Sequence, residues 1–215
     1  MPHLLRRVGF LFMKSRCIFF VDGFNLYHAI AAPKHLRKYK WLDLWSLCQR
    51  FLSTREELKA VVFFTALYPG NEKRIAKHTH YIRALENTGV EIIFGNFKKK
   101  DKFCQKCRQS TPGYEEKETD VNIAIEMLKR AVKDEYDTAF LISADSDLTP
   151  ALKTIKELYP QKIIRVLWPP NRRADNLRSH AHLTIKMKEK HLATNQLPNP
   201  LIINNLTFHK PDDWK

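Results

Sequence analysis

The sequence has few cysteines, no long apolar run and far fewer acids than bases. Its 4 cysteines in 215 residues include Cys17 in a strand-like pattern and Cys48 in a helix-like one, which does not suit the framework of a disulfide-rich secreted protein. No apolar stretch approaches the roughly 20 residues that a membrane-spanning helix needs. We therefore expect a protein of a reducing compartment, the cytoplasm, without a membrane as partner.

The deficit of acids leaves a strongly basic chain. Lys and Arg number 37 against 23 Asp and Glu, which gives a formal net charge of +14. Such an excess favours a polyanionic partner such as nucleic acid. A basic protein unrelated to nucleic acids would have the same composition. The oligomeric state stays open, a homodimer included.

Length and hydrophobic content predict one folded domain with short ends. A chain of this size with 44% hydrophobic residues can bury one substantial core. The first residues place bases around a short apolar piece, which imitates a secretory signal but lacks a small-residue cleavage site. We predict residues 1–15 as an N-terminal extension, 16–190 as the folded domain and the proline-containing 191–215 as a C-terminal arm.

Short apolar runs rich in β-branched and aromatic residues predict buried strands, and helical patterns separate them. This alternation predicts an α/β fold with a central parallel sheet of about five strands, right-handed crossovers and helices on both faces. The predicted strands are Cys17–Val21, Ala60–Thr65, Val90–Phe94, Thr138–Ser143 and Lys162–Leu167.

Several helices have recognisable starts, ends or faces. Glu72–Asn87 stops before Gly89. Thr119 is the expected N-cap of the next helix, and Thr149 before Pro150 the expected N-cap of the helix that runs through Leu158. The helix after Thr119 is predicted to pack through an apolar stripe. The stripe consists of Val121, Ala124, Ile125, Leu128, Ala131 and Val132.

Four aspartates lie where strands and helices meet in the predicted order. Asp22 follows the first strand, Asp145 and Asp147 follow the fourth, and Asp120 opens the helix that precedes the fourth. Because the carboxyl ends of parallel strands share one edge, where ligands of such sheets usually bind, we expect these acids to gather there. Each acid alone also suits a turn or a first helical turn.

Gathered carboxylates repel one another unless a cation intervenes. Oxygen ligands favour Mg²⁺ or Mn²⁺, and such an ion in a basic protein points to phosphodiester hydrolysis. Asn25, three residues beyond Asp22, is placed to orient a water or the scissile phosphate through its amide. Ser143, at the end of the fourth strand, is suited to support the ligands from behind. Both also suit turns or caps.

Three motifs in series, VDGFNLY, ETDVNIAIEML and LISADSDLTPAL, resemble the NYN family, the LabA-like branch of the PIN-like ribonucleases. The resemblance runs over roughly residues 16 to 190. It implies a PIN-like Rossmannoid three-layer sandwich and metal-dependent RNA cleavage at a pocket of aspartates. Carried onto this chain, the acidic positions are Asp22, Asp120, Asp145 and Asp147, with Asn25 as their polar companion.

Basic residues are expected at the same edge of the sheet, after the third and fifth strands. Phe97, Phe103 and Tyr114 interleave with them and are suited to stack on unpaired bases, which favours single-stranded RNA. Aromatic anchors under a solvated loop are the alternative. The predicted nucleic-acid contacts are Lys98, Lys99, Lys100, Lys102, Lys117, Arg172 and Arg173.

Cys104 and Cys107 form a CxxC pair in the basic loop, the spacing of half a structural zinc site. Zinc needs four ligands, and the sequence has no evident second pair. A histidine or another subunit would have to complete the site.

Three functions suit these features. The first is a divalent-metal endoribonuclease that uses the aspartates, and the second is an RNA-binding regulatory or adaptor module that keeps the pocket without efficient turnover. The third is a phosphatase of the haloacid dehalogenase type, whose DxD should follow the first strand. Here that position is Asp22-Gly23-Phe24, and the DxD of residues 145–147 follows the fourth strand.

Overall fold

The computed structural model describes residues 13–103, 108–111 and 113–214. The predicted extension, apart from residues 13–15, lies outside the described residues, as do Cys104 and Cys107. The strands are β1 Ser15–Asp22, β2 Glu56–Thr65, β3 Glu91–Phe94, β4 Asn96–Lys99, β5 Lys102–Phe103, β6 Ser110–Thr111, β7 Tyr114–Lys117, β8 Thr138–Ile142, β9 Ile163–Trp168, β10 Leu183–Lys186, β11 Leu201–Ile203 and β12 Leu206–Phe208. The α-helices are α1 Gly23–Ala31, α2 Leu44–Gln49, α3 Glu72–Asn87, α4 Thr119–Val132, α5 Thr149–Leu158, α6 Asp175–His180 and α7 Glu189–Ala193.

A parallel sheet of 6 strands in the order β10-β9-β8-β1-β2-β3 forms the centre of the fold. Helices cover both faces, so the α/β three-layer prediction is confirmed. The prediction missed the sixth strand, β10, which pairs with β9 alone. Its residues at the edge of the sheet are exposed or half-buried, with Leu183 exposed, and they lack the continuous apolar run of a central strand.

Two hydrophobic cores lie on the two faces of the sheet, and β1 contributes to both. Phe19 belongs to one core and Phe20 to the other, because successive side chains of a strand point to opposite faces. Phe19 stacks on its cross-strand neighbour Phe140 of β8 at 4.2 Å between ring centroids. The burial of both faces explains the continuous apolar runs CIFFV of β1 and AFLI of β8.

Helix α4 packs through a face that only partly matches the predicted one: Ala131 is buried and Leu128 packs against the second core, as expected. Val121, Ile125 and Val132 are exposed, whereas Ile123 and Met127 are buried in the second core. The inner face also carries Glu126 and Arg130, joined by a 2.8 Å ion pair. Burial of these charged residues is tolerated because they satisfy each other. Apolar periodicity alone cannot detect a buried ion pair, so the prediction was wrong for the three exposed members of the stripe.

The two predicted N-caps are also wrong by one residue. Thr119 and Thr149 are the first residues of α4 and α5, and their N-caps are Glu118 and Leu148. The Thr119 side chain donates to Glu116 instead of capping its own helix. Glu118 has a left-handed backbone, with φ of 77°, which turns the chain sharply from β7 into α4.

The exposed face of α4 yields a stability prediction. Met127→Ala should cost about 2–5 kcal/mol, because it leaves a cavity in the second core. The matched variant Ile125→Ala, at a side chain that is 58% exposed, should change the free energy of unfolding by no more than about 0.5 kcal/mol. Urea unfolding of both variants measures the difference. A larger loss for Ile125→Ala would contradict this packing of the helix.

The segment predicted as a C-terminal arm contributes to the first core. Leu197, Leu201, Phe208 and Trp214 are buried members of it. The Trp41 indole donates to the carbonyl of Pro198 at 3.1 Å. The boundary at residue 191 stays a prediction, but the arm's described residues pack on the domain. Among the residues that the structure describes, no helix has the length and apolar character needed to cross a bilayer.

Candidate functional site

A polar pocket of about 220 Å³ opens at the carboxyl edge of the sheet, next to the ends of β1 and β8. Three of the four predicted aspartates line it, together with the predicted Asn25 and Arg172. Asp147 and Ser143 are not part of the lining. The lining residues are Asp22, Phe24, Asn25, His28, Glu116, Thr119, Asp120, Asp145 and Arg172.

Asp22 is the last residue of β1 and also the N-cap of α1. Its Oδ1 accepts a hydrogen bond from the Asn25 backbone N–H at 2.9 Å, which satisfies one of the free donors at the helix start. Gly23 allows the helix to begin close to β2, since a Cβ there would lie 2.5 Å from the Phe64 carbonyl oxygen. The cap hydrogen bond and the close packing of Gly23 against β2 thus fix the position of Asp22, and only 3% of this residue is exposed.

Hydrogen bonds join Asp22 to the end of β8. Ser143 Oγ donates to Asp22 Oδ2 at 2.8 Å and accepts from the Asp145 backbone N–H at 3.0 Å. Asn25 Oδ1 accepts from the Ala144 backbone N–H at 3.1 Å. Ser143 and Asn25 therefore tie α1 and β1 to the turn that carries Asp145, which is a positioning arrangement.

The electrostatics of the pocket are those of crowded, partly desolvated acids. Burial is the main factor that raises the pKa of Asp22, with smaller contributions from the charges of Asp145 and Glu116. Burial, followed by the charges of Asp145, Asp22, Glu116 and Asp147, raises the pKa of Asp120 to about 6. A bound cation would relieve this repulsion.

The described lysines and arginines do not neutralise these aspartates. The nearby ion pairs join Lys100 and Lys117 to Glu115, and Arg173 to Asp175. Arg172 lines the pocket, but it forms no ion pair with an aspartate among the described residues. The pocket therefore keeps an excess of negative charge inside a protein of net charge +14.

The donor set fits a hard cation, but the carboxylates do not converge on one point. Within the described part of the chain, no group of three or more His, Cys, Asp or Glu side chains lies close enough to hold a metal ion. Mg²⁺ is usually bound through one or two carboxylates while it keeps several waters, so a closed cage is not required. Asp22, Asp120 and Asp145 are the residues that would hold such an ion.

An antiparallel hairpin of β4 and β7 forms one wall of the site. Phe97 is paired with Glu116 and Lys99 with Tyr114, so these four side chains share one face of the hairpin. Because Glu116 lines the pocket, this is the inner face. The hairpin also returns the chain to the carboxyl edge, which explains why Asp120 joins the other acids.

Some of the predicted basic residues form ion pairs with carboxylates, and others form none among the described residues. Lys100 and Lys117 bind Glu115 at 2.8 and 3.0 Å, whereas Lys98 and Lys99 are exposed and form no ion pair within the described chain. Arg173 pairs with Asp175 at 2.7 Å. The Lys102 side chain and the proposed zinc pair, Cys104 and Cys107, lie outside the described residues, so these predictions stay predictions.

Three residues line the pocket that were not predicted as site residues: Phe24, His28 and Glu116. On α1, His28 lies four residues after Phe24 and three after Asn25. Residues at these spacings are neighbours on a helix surface, so the predicted Asn25 could have indicated the other two. Glu116 precedes Asp120 by four residues, but across a strand-to-helix turn that no periodicity rule covers. Only the hairpin brings it to the site.

Comparisons with known proteins agree with this fold. The NYN domain profile matches residues 16–188. A curated relative, 6-hydroxy-3-succinoylpyridine 3-monooxygenase HspA of Pseudomonas putida (strain DSM 28022 / S16), is 26% identical over 239 residues, 91% of this chain and 74% of that protein. A solved structure of a protein of unknown function from Vibrio parahaemolyticus RIMD 2210633 is 17% identical with a TM-score of 0.56, and covers 82% of this chain and 95% of that one.

Proposed function

Because the chain belongs to the NYN domain family, which is part of the PIN-like nuclease superfamily, we propose that it is a divalent-metal-dependent endoribonuclease acting on single-stranded RNA. One observation supports the proposal: Asp22, Asp120 and Asp145 line one pocket and form no ion pair with a basic side chain among the described residues. An anionic pocket in a cationic protein suits a metal ion together with a phosphodiester. The LabA-like branch remains a prediction.

The proposed roles follow from where each group lies. Asp22, Asp120 and Asp145 would hold Mg²⁺ or Mn²⁺, directly or through waters of the ion, and the ion would supply polarisation of the scissile phosphate and a lower pKa for a water. Asn25 and Ser143 hold Asp22 and the turn of Asp145 in position through the hydrogen bonds at the ends of β1 and β8.

Groups at the rim of the pocket complete the proposal. Asp147, whose N–H donates to Asp145 Oδ1 at 3.0 Å, supports the turn that carries Asp145. Arg172 lines the pocket, and exposed Lys98 and Lys99 lie on the neighbouring hairpin. These cations bind phosphates of the strand without reading its sequence. Lys100, Lys102, Lys117 and Arg173 are proposed as weaker contacts of the same kind.

A second candidate is an RNA-binding module without efficient turnover. It is favoured by the lack of three converging acids within the described chain. The name of the Pseudomonas relative describes oxidation of a pyridine by that protein, and at 26% identity we carry no substrate over from it.

Metal removal and one substitution separate the two candidates. Cleavage of end-labelled single-stranded RNA by the wild type should require Mn²⁺ or Mg²⁺ and stop in chelator. Asp145→Asn should lower the rate with metal by about 10²-fold, because it removes one of the carboxylates that would hold the ion. Glu157→Gln, at an exposed acid of α5, is the matched control and should cleave as the wild type does.

Unchanged cleavage by Asp145→Asn would contradict the proposed mechanism. If the wild type also fails to cleave yet binds RNA with an affinity that falls as salt rises, the binding module is the correct function.

A further inference from the structure

A run of aromatic rings in mutual contact leads away from the pocket. Phe24, which lines the pocket, lies 5.8 Å from Phe97 between ring centroids. Phe97 lies 5.4 Å from Tyr68, and Tyr68 lies 5.5 Å from Tyr114. All three contacts are edge-to-face, with interplanar angles of 84°, 87° and 78°. We call these four residues the aromatic track.

Three separate parts of the chain build the aromatic track. Phe24 comes from the first turn of α1, and Phe97 and Tyr114 come from the inner face of the β4–β7 hairpin. Tyr68 lies in the segment after β2. Gly70 packs against its ring, since a Cβ at that position would lie 2.5 Å from Tyr68 Cε1. The segment therefore holds the tyrosine ring close against its own backbone.

The aromatic track is only partly covered. Tyr68 is 38% exposed, and Phe24, Phe97 and Tyr114 are half-buried. In an edge-to-face contact, the edge of one ring touches one face of the other ring. The second face of that other ring is not covered by this contact. Exposed Lys99 lies on the same face of the hairpin as Phe97 and Tyr114. Flat rings next to a cation are the elements of a surface that binds single-stranded nucleic acid.

The pocket is too small to enclose the nucleotides next to the scissile bond. At about 220 Å³ it is smaller than the pockets that enclose drug-sized ligands, so it holds the reacting phosphodiester and little more. The nucleotides on one side of the scissile bond must then lie outside the pocket, and the aromatic track begins at its wall.

We propose that the aromatic track is a base-binding subsite, in which Tyr68 and Phe97 stack on unpaired bases next to the scissile phosphate while Lys99 binds the backbone. This inference rests on the proposed function for the identity of the strand. It assigns the preference for unpaired bases to a named surface, since paired bases present no free face to a ring.

The alternative is that the rings only anchor the hairpin to the domain. Substitution at Tyr68 separates the two roles, because leucine keeps apolar bulk but lacks a flat π face. Tyr68→Leu should lower the affinity for single-stranded RNA by about 5- to 100-fold, the range that loss of one stacked base produces. Tyr68→Phe should bind as the wild type does. Ile202→Ala, at a residue that is 70% exposed on β11, is the surface control.

Binding is measured in chelator, so that it does not depend on cleavage, and thermal unfolding of each variant checks the fold. The RNA probes are one oligonucleotide and versions with a single abasic ribose at successive positions. The wild type should lose affinity at the two abasic positions whose bases stack on Tyr68 and Phe97. Tyr68→Leu should show no further loss at one of them, because the stacking partner of that base is already gone.

The outcomes separate this inference from the proposed function. If the wild type cleaves RNA but Tyr68→Leu binds normally, or the abasic losses are equal in both proteins, the base-binding subsite is wrong and the nuclease stands. If the wild type binds with the expected abasic pattern and does not cleave, the subsite stands and the nuclease is wrong. Absence of RNA affinity in the wild type would overturn the subsite.

Discussion

Asp22→Asn should reduce metal-dependent RNA cleavage by at least about 10³-fold while the domain remains at least as stable as the wild type. Asn keeps the oxygen that caps α1 but replaces Oδ2 with an NH₂ group, which donates to Ser143 Oγ once that hydroxyl turns away, so both local contacts can persist. The substitution removes the negative charge of Asp22, a residue that is only 3% exposed. A buried carboxylate surrounded by other acids destabilises the metal-free fold, and its loss relieves that cost.

The measurement combines single-turnover cleavage with thermal unfolding in chelator. Ser143→Ala is the comparison, since it removes a positioning hydroxyl and should cost about 10- to 100-fold in rate. A variant Asp22→Asn that unfolds at lower temperature than the wild type would show that the carboxylate stabilises the fold. Retained cleavage by Asp22→Asn would remove Asp22 from the site.

Trp41→Ala should cost about 3–5 kcal/mol in the free energy of unfolding, because it empties a fully buried site and detaches the C-terminal arm. The ring of Trp41 contacts those of Tyr81 and Trp214, at 5.7 and 6.3 Å between centroids. Its N–H binds the Pro198 carbonyl. One side chain thus joins α3, the segment before α2 and the last residues of the described chain.

Removal of residues 198–215 offers an independent test of that role. The shortened chain should lose stability by a comparable amount, since Leu201, Phe208 and Trp214 leave the first core. Ile202→Ala, in the same arm but 70% exposed, should change the free energy of unfolding by no more than about 0.5 kcal/mol. Urea unfolding measures all three. If the shortened chain is as stable as the wild type, the arm does not stabilise the first core and this prediction is wrong.

The central strands and the edge where the acids meet could be predicted because they depend on short-range rules. The runs around Phe19 and Phe140 are apolar on both faces, as buried parallel strands require. Asp22 and Asp145 follow such strands directly, so the direction of the strands was enough to bring them to one edge. The packed face of α4 could not be predicted, since the buried pair Glu126–Arg130 looks solvent-exposed in a sequence pattern.

The aromatic track shows the same limit at the candidate site. Phe97 and Tyr114 were recognisable as rings among basic residues, but Tyr68 lies 29 residues before Phe97, in a segment without any periodic pattern. Their contact depends on how the hairpin folds back over the end of β2. Contacts between residues that are distant in sequence and irregular in structure have no sequence signature.

The sequence by itself determined the alternation of strands and helices, the family and the set of aspartates at the carboxyl edge, because each follows from local composition and strand direction. The tertiary structure decided which face of α4 is buried, which lysines are neutralised by Glu115, that Glu116 lines the pocket and that Tyr68 joins the aromatic track beside it. These depend on distances between separate segments. Such distances are set by packing and by the pairing of charges across the whole fold.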